Sequence, residues 1–284
     1  MTATTHPTAL SARPPARPRH RLSFAGAVAA EWIKLRSLRS TWWDVIIMVG
    51  LAAGIAGLTG VTTTDWFVEA ADGVNLAEFT VILANQSAAL IGSVVLLVMG
   101  ALMATGEYSS GSIRATLAAD PRRGMVLGAK TVVLAVFALV LGAVTEAIAL
   151  VVIFPILDPA SFGYSMTALA WRLAAGSVFY MVIAGLIGLG LGFILRSSAG
   201  AIALGIGLFF VLDGILAMTG SQNDVILTIR DILPGGAANI VLAEPLFNPA
   251  DSALGGFGGA VVCLALWAGA ALAGGWAVLR ARDA

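Results

Sequence analysis

Six long apolar blocks constrain the fold of this chain more than any other feature of its sequence. Each block holds about 20 or more predominantly apolar residues, which is the length that an α-helix needs to cross the hydrocarbon core of a bilayer. The blocks therefore predict an all-α membrane protein with six spans. We place these spans at residues 42–61, 80–105, 131–154, 173–195, 199–219 and 255–279.

The overall composition favours a membrane protein over a soluble one. Of the 284 residues, 59% are hydrophobic and only 11% are charged, whereas a soluble domain carries about a quarter charged residues to solvate its surface. The 16 basic and 16 acidic residues balance, so no global positive field favours nucleic acid as a partner. We expect a single transmembrane domain over residues 23–284.

The first 22 residues differ in composition from everything that follows. They combine four prolines with four arginines and few apolar residues, a composition that forms no packed core. No apolar stretch follows these charges directly, as it would in a signal peptide. We expect residues 1–22 to be a disordered cytoplasmic tail.

The distribution of basic residues predicts the orientation of the spans. Lys and Arg are retained on the cytoplasmic side of a membrane. Fourteen of the sixteen lie before span one, in the loops after spans two and four, or after span six. The segments on the other side hold only Arg172 and Arg230. Both termini are therefore predicted to be cytoplasmic.

Two stretches leave the topology open to alternatives. Only Arg196, Ser197 and Ser198 separate spans four and five, so these blocks are either two crossings or a re-entrant hairpin. Segment 220–254, on the outer side, mixes apolar stretches with three prolines. It is either an ordinary structured loop or a set of short helices that lie on, or dip into, the outer interface and cap the bundle.

The sequence argues against catalytic chemistry in this chain. Both histidines, His6 and His20, lie in the tail, and Cys263 is the only cysteine, so no span offers the partners that a serine nucleophile or a zinc site needs. The closest approach to a phosphate-binding loop is 124–131, but Ala129 stands where the motif needs a glycine before Lys130. We expect ATP-driven work to require another subunit.

Three acidic residues fall inside predicted spans, where a charge is costly and a functional role is the default hypothesis. Asp44 lies at the inner interface, within reach of water or Arg39. Glu146 and Asp213 lie deeper in the outer half, and no Lys or Arg is expected at their depth. They are either protonated or face a water-filled cavity, as structural groups or as parts of a translocation path.

Glycines at four-residue spacing inside spans predict close helix packing. The pairs are Gly50 with Gly54 and Gly188 with Gly192. Small residues allow two helices to approach each other closely, so this pattern indicates a tight bundle and names no substrate.

The segment before span one has the pattern of an amphipathic helix. Its apolar residues follow helical spacing from Phe24 to Leu38, and they predict a helix that lies along the inner membrane face. Glu31 and Arg39 interrupt this apolar stripe. Either Glu31 pairs with Lys34, or the helix also contacts a protein partner.

The loop between spans two and three predicts a short helix that Ser112 caps and that continues to Ala119. Ile113 and Leu117 stand one turn apart, with Arg114 beside them, and form a small apolar face. Asp120 and Pro121 end the helix before Arg122 and Arg123. Such a face is suited to docking in a groove of a soluble partner.

These two cytoplasmic segments resemble the permease subunits of type-2 ATP-binding-cassette exporters of the actinobacterial kind. The first is 31–43, which reads EWIKLRSLRSTWW. The second runs from Gly106-Glu107-Tyr108 through Arg114, Leu117 and Pro121-Arg122-Arg123 to Ala129-Lys130. The outer segment, with Leu233-Pro234 and Ala237-Ala238, is similar as well.

The resemblance implies a half-transporter in a bacterial cell membrane. A second permease chain, identical or different, completes the pathway among membrane lipids. Two cytosolic ATPase subunits carry the ATP and Mg²⁺, and this chain has no cofactor. The helix before span one would be the connecting helix and the helix 112–119 the coupling helix. The expected ATPase contacts are Glu31, Lys34, Arg36, Glu107, Ser112, Ile113, Arg114, Leu117, Arg122 and Arg123.

Two other classes of function stay open. An ion-coupled secondary transporter would use Glu146 and Asp213, although such carriers often show internal repeats and no convincing repeat is present. A membrane scaffold or immunity protein that does not transport would use the docking segments for a different partner.

Overall fold

A computed structural model describes residues 23–67, 76–119, 122–156, 167–219, 223–243 and 252–281, and the predicted tail 1–22 lies outside them. Every regular element in these ranges is helical. They are α1 (Phe24–Ser37), α2 (Arg39–Phe67), α3 (Leu76–Ser109), α4 (Ser112–Ala119), α5 (Arg123–Ile156), α6 (Ala168–Leu195), α7 (Ser198–Ile206), the π-helical turn π1 (Gly207–Val211), α8 (Leu212–Thr219), α9 (Asp224–Ile232), α10 (Pro234–Ala243) and α11 (Phe257–Ala281).

The described ranges contain six helical segments that are long and apolar enough to cross a membrane, which confirms the number predicted. The segments are Arg39–Thr63, Phe79–Ser109, Arg123–Ile156, Ala168–Leu195, Ser198–Thr219 and Phe257–Ala281. The fifth is built from α7, π1 and α8 in succession. The third begins eight residues before the predicted start because α5 includes the charged turns of Arg123 and Lys130.

The junction between α6 and α7 separates spans four and five as two helices. Arg196 adopts a left-handed conformation (φ 54°) and its backbone N–H donates to the Gly192 carbonyl. The Ser197 hydroxyl then accepts from the Gly200 N–H at 3.3 Å and caps α7. The segments Ala168–Leu195 and Ser198–Thr219 are each long enough to cross a bilayer, so two crossings fit better than one shared hairpin.

The centre of the bundle is the contact between α3 and α6. A Cβ at Gly188 would overlap the carbonyl oxygen of Leu97, and one at Gly192 would lie 2.8 Å from the carbonyl oxygen of Ala101. The prediction of close packing is confirmed for this glycine pair. Gly50 and Gly54 on α2 face open space within the chain, so the same spacing there serves no packing inside the described bundle.

Two short helices, α9 and α10, follow the fifth span and meet at an angle of 85°. The Ile232 carbonyl at their elbow accepts from Trp267 Nε1 at 2.8 Å and from the Cys263 thiol at 3.2 Å. Ala237, Val241 and their neighbours on α10 are buried against the bundle. Short helices are therefore present in the described part of this segment, and α10 packs into the bundle. Their position at the outer membrane interface stays a prediction.

The inner ends of several helices meet around the start of α5. Arg123 Nη1 donates to the backbone carbonyls of Leu279 at 2.7 Å and Arg280 at 3.1 Å, which satisfies the end of α11. The end of α3, helix α4 and helix α1 lie at the same end of the bundle. We call it the cytoplasmic end, because the charge distribution predicts that side.

Candidate functional site

A buried ion network lies at the cytoplasmic end, where α1, α3 and α5 meet. Lys130 Nζ on α5 is 2.7 Å from Glu31 Oε2 on α1 and 2.8 Å from Glu107 Oε1 on α3. The Lys130 side chain is 1% exposed, and those of Glu31 and Glu107 are 7% and 11% exposed. One lysine thus ties three helices together through charge-assisted hydrogen bonds.

A second lysine completes the network and neutralises it. Lys34 Nζ lies 2.8 Å from Glu31 Oε1 and 2.8 Å from Glu107 Oε1. This confirms the pairing of Glu31 with Lys34 and explains why an acid interrupts the apolar stripe. Two ammonium groups now face two carboxylates, so the cluster carries no net charge. A neutral cluster is the form in which buried charges are tolerated.

Lys34 is the exposed edge of the network, with 47% of its side chain accessible. Burial by itself acts to lower the pKa of Lys34. The hydrogen bonds to Glu107 and Glu31, together with the charges of both carboxylates, outweigh burial and raise the pKa above its ordinary value. Lys34 therefore stays protonated at and well above neutral pH.

Packing and capping hold α1 in position for these contacts. The Ser23 hydroxyl accepts from the Gly26 N–H at 3.1 Å and begins the helix. Leu35 is buried in a cluster that includes Met48, Met99 and Val133 from three other helices. Because Glu31 lies one turn before Leu35 on the same face of the helix, the orientation of α1 that buries Leu35 also points Glu31 toward Lys130. The amphipathic helix is thus docked on the bundle along its inner side.

A cavity of about 440 Å³ borders the network between α1, α2 and α3. Its polar lining includes Lys34, Glu107, Lys130 and Asp44, and Met99 and Leu102 are among its apolar lining residues. Asp44, predicted at the inner interface, is therefore near the network rather than isolated in an apolar surrounding.

The predicted short helix is present as α4, next to the network in sequence and in space. Gly111 takes a φ of 71° to turn the chain out of α3. The prediction that Ser112 caps α4 was wrong, because Ser112 is already the first helical residue, and its N–H donates to Ser110 Oγ at 3.4 Å. Ile113 is 3% exposed and anchors α4 on the protein itself, whereas Arg114 is exposed. The side chain of Leu117 lies outside what the structure describes.

The remaining predicted contact residues occupy different environments. Arg36 on α1 is exposed and lines an apolar groove between α1, α2 and α5. Arg122 is exposed just before α5. Arg123 caps the end of α11, as described above. The structure thus gathers Glu31, Lys34 and Glu107 into the network and leaves Arg114 and Arg122 on the surface.

Asp213 on α8 has a charged partner that the sequence did not predict. Arg230 Nε on α9 donates to its Oδ1 at 2.8 Å, and Asn239 Nδ2 on α10 donates to its Oδ2 at 2.9 Å. The expectation that no Arg shares its depth was wrong for Asp213, because α9 folds back against the fifth span. The three residues form a half-buried tie beside a cavity of about 280 Å³.

Glu146 remains without such a partner. It is 3% exposed, and within the described part of the chain neither carboxyl oxygen has a hydrogen-bond partner. Asn85 and Ser177 on the adjoining helices are also buried with unpaired side-chain atoms in these ranges. Glu146 does not line the cavity beside Asp213, so the structure does not bring the two predicted pathway acids into one site.

Sequence reasoning missed the role of Lys130, which it considered as a failed phosphate-binding lysine and quoted as part of the family resemblance. One signal was available: the chain contains fourteen arginines but only two lysines, and both lysines are in the network. A compact ammonium with three donors can bridge several carboxylates at once, which suits this position better than a planar guanidinium.

Comparison with known proteins gives one family match. The model of the family described as ABC-2 family transporter protein matches residues 27–272. No relative was found among the curated proteins. The matched range takes in α1, the ion network, α4 and most of the six spans.

Proposed function

The chain belongs to the ABC-2 transporter family, and from that premise we propose that it is the permease half of an ATP-driven exporter. It is a multi-pass protein of the cell membrane with the helices of an ABC permease. In the proposed complex, two permease chains, identical or different, enclose the pathway, and two cytosolic ATPase subunits bind beneath them.

ATP and Mg²⁺ are proposed to bind on the ATPase subunits rather than on this chain. Permeases of this family are typically membrane subunits without catalysis of their own. The one segment that approaches a phosphate-binding sequence lies within helix α5, and Lys130 is held between two carboxylates. Its ammonium is therefore committed to the network and is not available to a phosphate.

The observation that supports this mechanism best is the ion network beside α4. Glu107 lies five residues before Ser112, so α4 follows directly from a helix end that is fixed to α1 and α5. A displacement of α4 by the ATPase subunit would move the inner ends of α1, α3 and α5 together. This coupled movement is what would open and close the cavity at the cytoplasmic end.

Within this proposal the predicted contact residues divide into two groups. Arg114 and Arg122, which are exposed, would contact the ATPase subunit directly. Glu31, Glu107 and Ile113 are buried and would act by fixing the positions of α1 and α4. We place three further predicted contacts, which are exposed, in neither group: Lys34, Ser112 and Arg36.

An ion-coupled carrier receives no support from the arrangement of the two acids. A shared ion path would need Glu146 and Asp213 to face one cavity, and among the described residues Asp213 is paired with Arg230 instead. The scaffold alternative differs from the exporter in having no ATPase partner. A binding experiment therefore separates it from the exporter.

The test is co-purification of the full chain with the ABC-type ATPase encoded beside its gene. We expect the wild-type chain to retain the ATPase and Arg114→Glu to retain at least about tenfold less, because a like-charge contact at an interface costs several kcal/mol. Arg280→Glu, a charge reversal on the exposed end of α11, is the matched control. No retention by the wild-type chain, or equal retention by both variants, would contradict the proposal.

A further inference from the structure

An apolar groove of about 300 Å³ opens on the membrane-facing side of the cytoplasmic end, between α1, α2 and α5. The four network residues do not line it, although Leu35 and Thr41 border both this groove and the cavity beside the network. We propose that this groove binds an anionic phospholipid of the inner leaflet, with an acyl chain between α2 and α5 and the phosphate at Arg36.

The walls of the groove suit a hydrocarbon chain. The rings of Trp32 and Phe137 pack edge to face in the wall of the groove, with ring centroids 6.3 Å apart. Val45, Val140 and Val144 continue the lining into the membrane. Val140 is 59% exposed even though its helix packs against α1 and α2. An aliphatic side chain left open between two helices gains from contact with an acyl chain.

The position of the groove along α5 places its mouth in the inner leaflet. From Phe137 to Val144 the α5 wall covers about 10 Å along the helix axis. Phe137 itself lies about 10 Å beyond Lys130, which is at the polar end of the bundle. Val144, at the far end of the groove, lies about 21 Å beyond Lys130. The groove thus begins in the inner half of a hydrocarbon core that is about 30 Å thick and reaches past its midpoint.

The rim of the groove supplies the head-group contact. Arg36 is exposed, and the described part of the chain contains no ion pair to it. Its backbone carbonyl accepts from Trp42 Nε1 at 3.2 Å, which fixes the chain at the mouth of the groove. Tryptophan and arginine at this level are typical of the membrane interface, and basic pockets between helices on the cytoplasmic side bind anionic head groups.

Charge complementarity favours an anionic phospholipid over a second protein chain as the occupant of the groove. An apolar helix of a second copy could cover the groove, but it would bring no negative charge to Arg36 at the rim. An anionic lipid supplies both parts, because its phosphate neutralises the guanidinium and its tail covers the apolar walls. A zwitterionic lipid offers the same tail with no net negative charge.

The experiment is native mass spectrometry of the full chain in mild detergent, doped with equal amounts of dioleoyl phosphatidylglycerol and dioleoyl phosphatidylcholine. We expect the wild-type chain to retain phosphatidylglycerol about fivefold over phosphatidylcholine, the preference that one interfacial arginine gives. Arg36→Gln should bring this ratio close to one. Arg39→Gln, which removes an exposed arginine three residues away that does not line the groove, should leave it unchanged.

A second pair of variants tests the tail site. Val140→Phe should fill the groove and lower the retention of both lipids severalfold, whereas Val132→Phe, at a 40% exposed site on the same helix outside the groove, should not. Equal retention of the two lipids by the wild-type chain would overturn the proposal. So would a response of Arg36→Gln no larger than that of Arg39→Gln. The comparison of Arg36→Gln with Arg39→Gln tests the proposal even if a phenylalanine variant fails to fold.

Discussion

At the scale of single residues, Lys130 is the most deeply buried ionisable residue in the described part of the chain. Its ammonium has left water, and its interactions with Glu31 and Glu107 offset that desolvation. A complete buried ion cluster is not in itself strong evidence of stability, but removal of one member leaves an uncompensated charge in a medium of low dielectric constant. The network therefore behaves as a unit whose members cannot be changed one at a time.

Lys130→Met is expected to lower the free energy of unfolding by about 3–5 kcal/mol, because two carboxylates are then buried with only the half-exposed Lys34 between them. Adding Glu31→Gln should recover part of this loss, since Lys34 and Glu107 then form a neutral pair. Thermal unfolding of the purified chain in detergent measures both variants.

Arg39→Gln, at an exposed position with no role in the network, serves as the control and should change stability by less than about 0.5 kcal/mol. A loss for Lys130→Met as small as that of the control would show that the network does not hold the three helices together.

The sequence predicts local contacts of this kind and not distant ones. Glu31 and Lys34 are three residues apart on one helix, so helical geometry alone brings them together. Lys130 is 99 residues from Glu31, and Arg230 is 17 residues from Asp213 across a turn of the chain. Neither contact follows from spacing, because both depend on how separate helices pack.

At the scale of helices, hydropathy found all six spans but placed several starts too late. The helix of span three begins at Arg123 and that of span four at Ala168, five residues before the prediction. Charged residues lower the mean hydropathy of a sequence window, but in this structure they extend the helices because they make contacts with other helices. Arg123 donates to the end of α11, and the Arg172 guanidinium lies 5.1 Å from the ring centre of Phe257. A sequence window cannot detect partners that lie on other helices.

The π-helical turn is a second feature of helices that the sequence did not predict. Residues 207–211 widen the fifth span just before Asp213. Such turns frequently occur at functional sites, and this one aligns Phe209 with Tyr180 at a ring distance of 5.8 Å. Nothing in the apolar run Gly207-Leu-Phe-Phe-Val211 distinguishes it from α-helix by composition.

Close packing of α3 on α6 gives a prediction at the same scale. Gly188→Ala is expected to destabilise the chain by about 1–3 kcal/mol, because the added Cβ would overlap a backbone carbonyl that cannot move independently. Gly54→Ala is the matched control. It faces open space in the chain, so alanine there should be neutral or slightly stabilising through its helix propensity.

Thermal unfolding in detergent again provides the comparison. If Gly188→Ala and Gly54→Ala shift the midpoint by the same amount, then the small residues of α6 are not required for its contact with α3. A loss confined to Gly188→Ala would support the close approach of the two backbones.

At the scale of the whole molecule, two groups of polar side chains join separate helices at opposite ends of the apolar bundle. We call them the inner tie and the outer tie. The inner tie is the neutral network of Glu31, Lys34, Glu107 and Lys130, and it fixes helix ends that the proposed ATPase would move. The outer tie joins Asp213 to α9 and α10, and it is more exposed than the carboxylates of the inner one. A transporter that opens alternately at its two ends needs the outer elements to separate while the bundle stays folded.

This difference predicts that the outer pair of helices depends on Asp213 far more than the bundle does. Asp213→Ala removes the charged hydrogen bond from Arg230, worth about 1.5–3 kcal/mol, and the bond from Asn239. Backbone amides of α9 and α10 should then exchange hydrogen at least about tenfold faster, because their local opening costs less. Exchange in α6 should stay the same, since its packing against α3 does not involve this tie.

Asp44→Ala, which removes a carboxylate near the opposite end of the bundle, should leave α9 and α10 unchanged. Faster exchange throughout the protein would mean that Asp213 stabilises the whole fold and that the outer helices do not open as a separate unit.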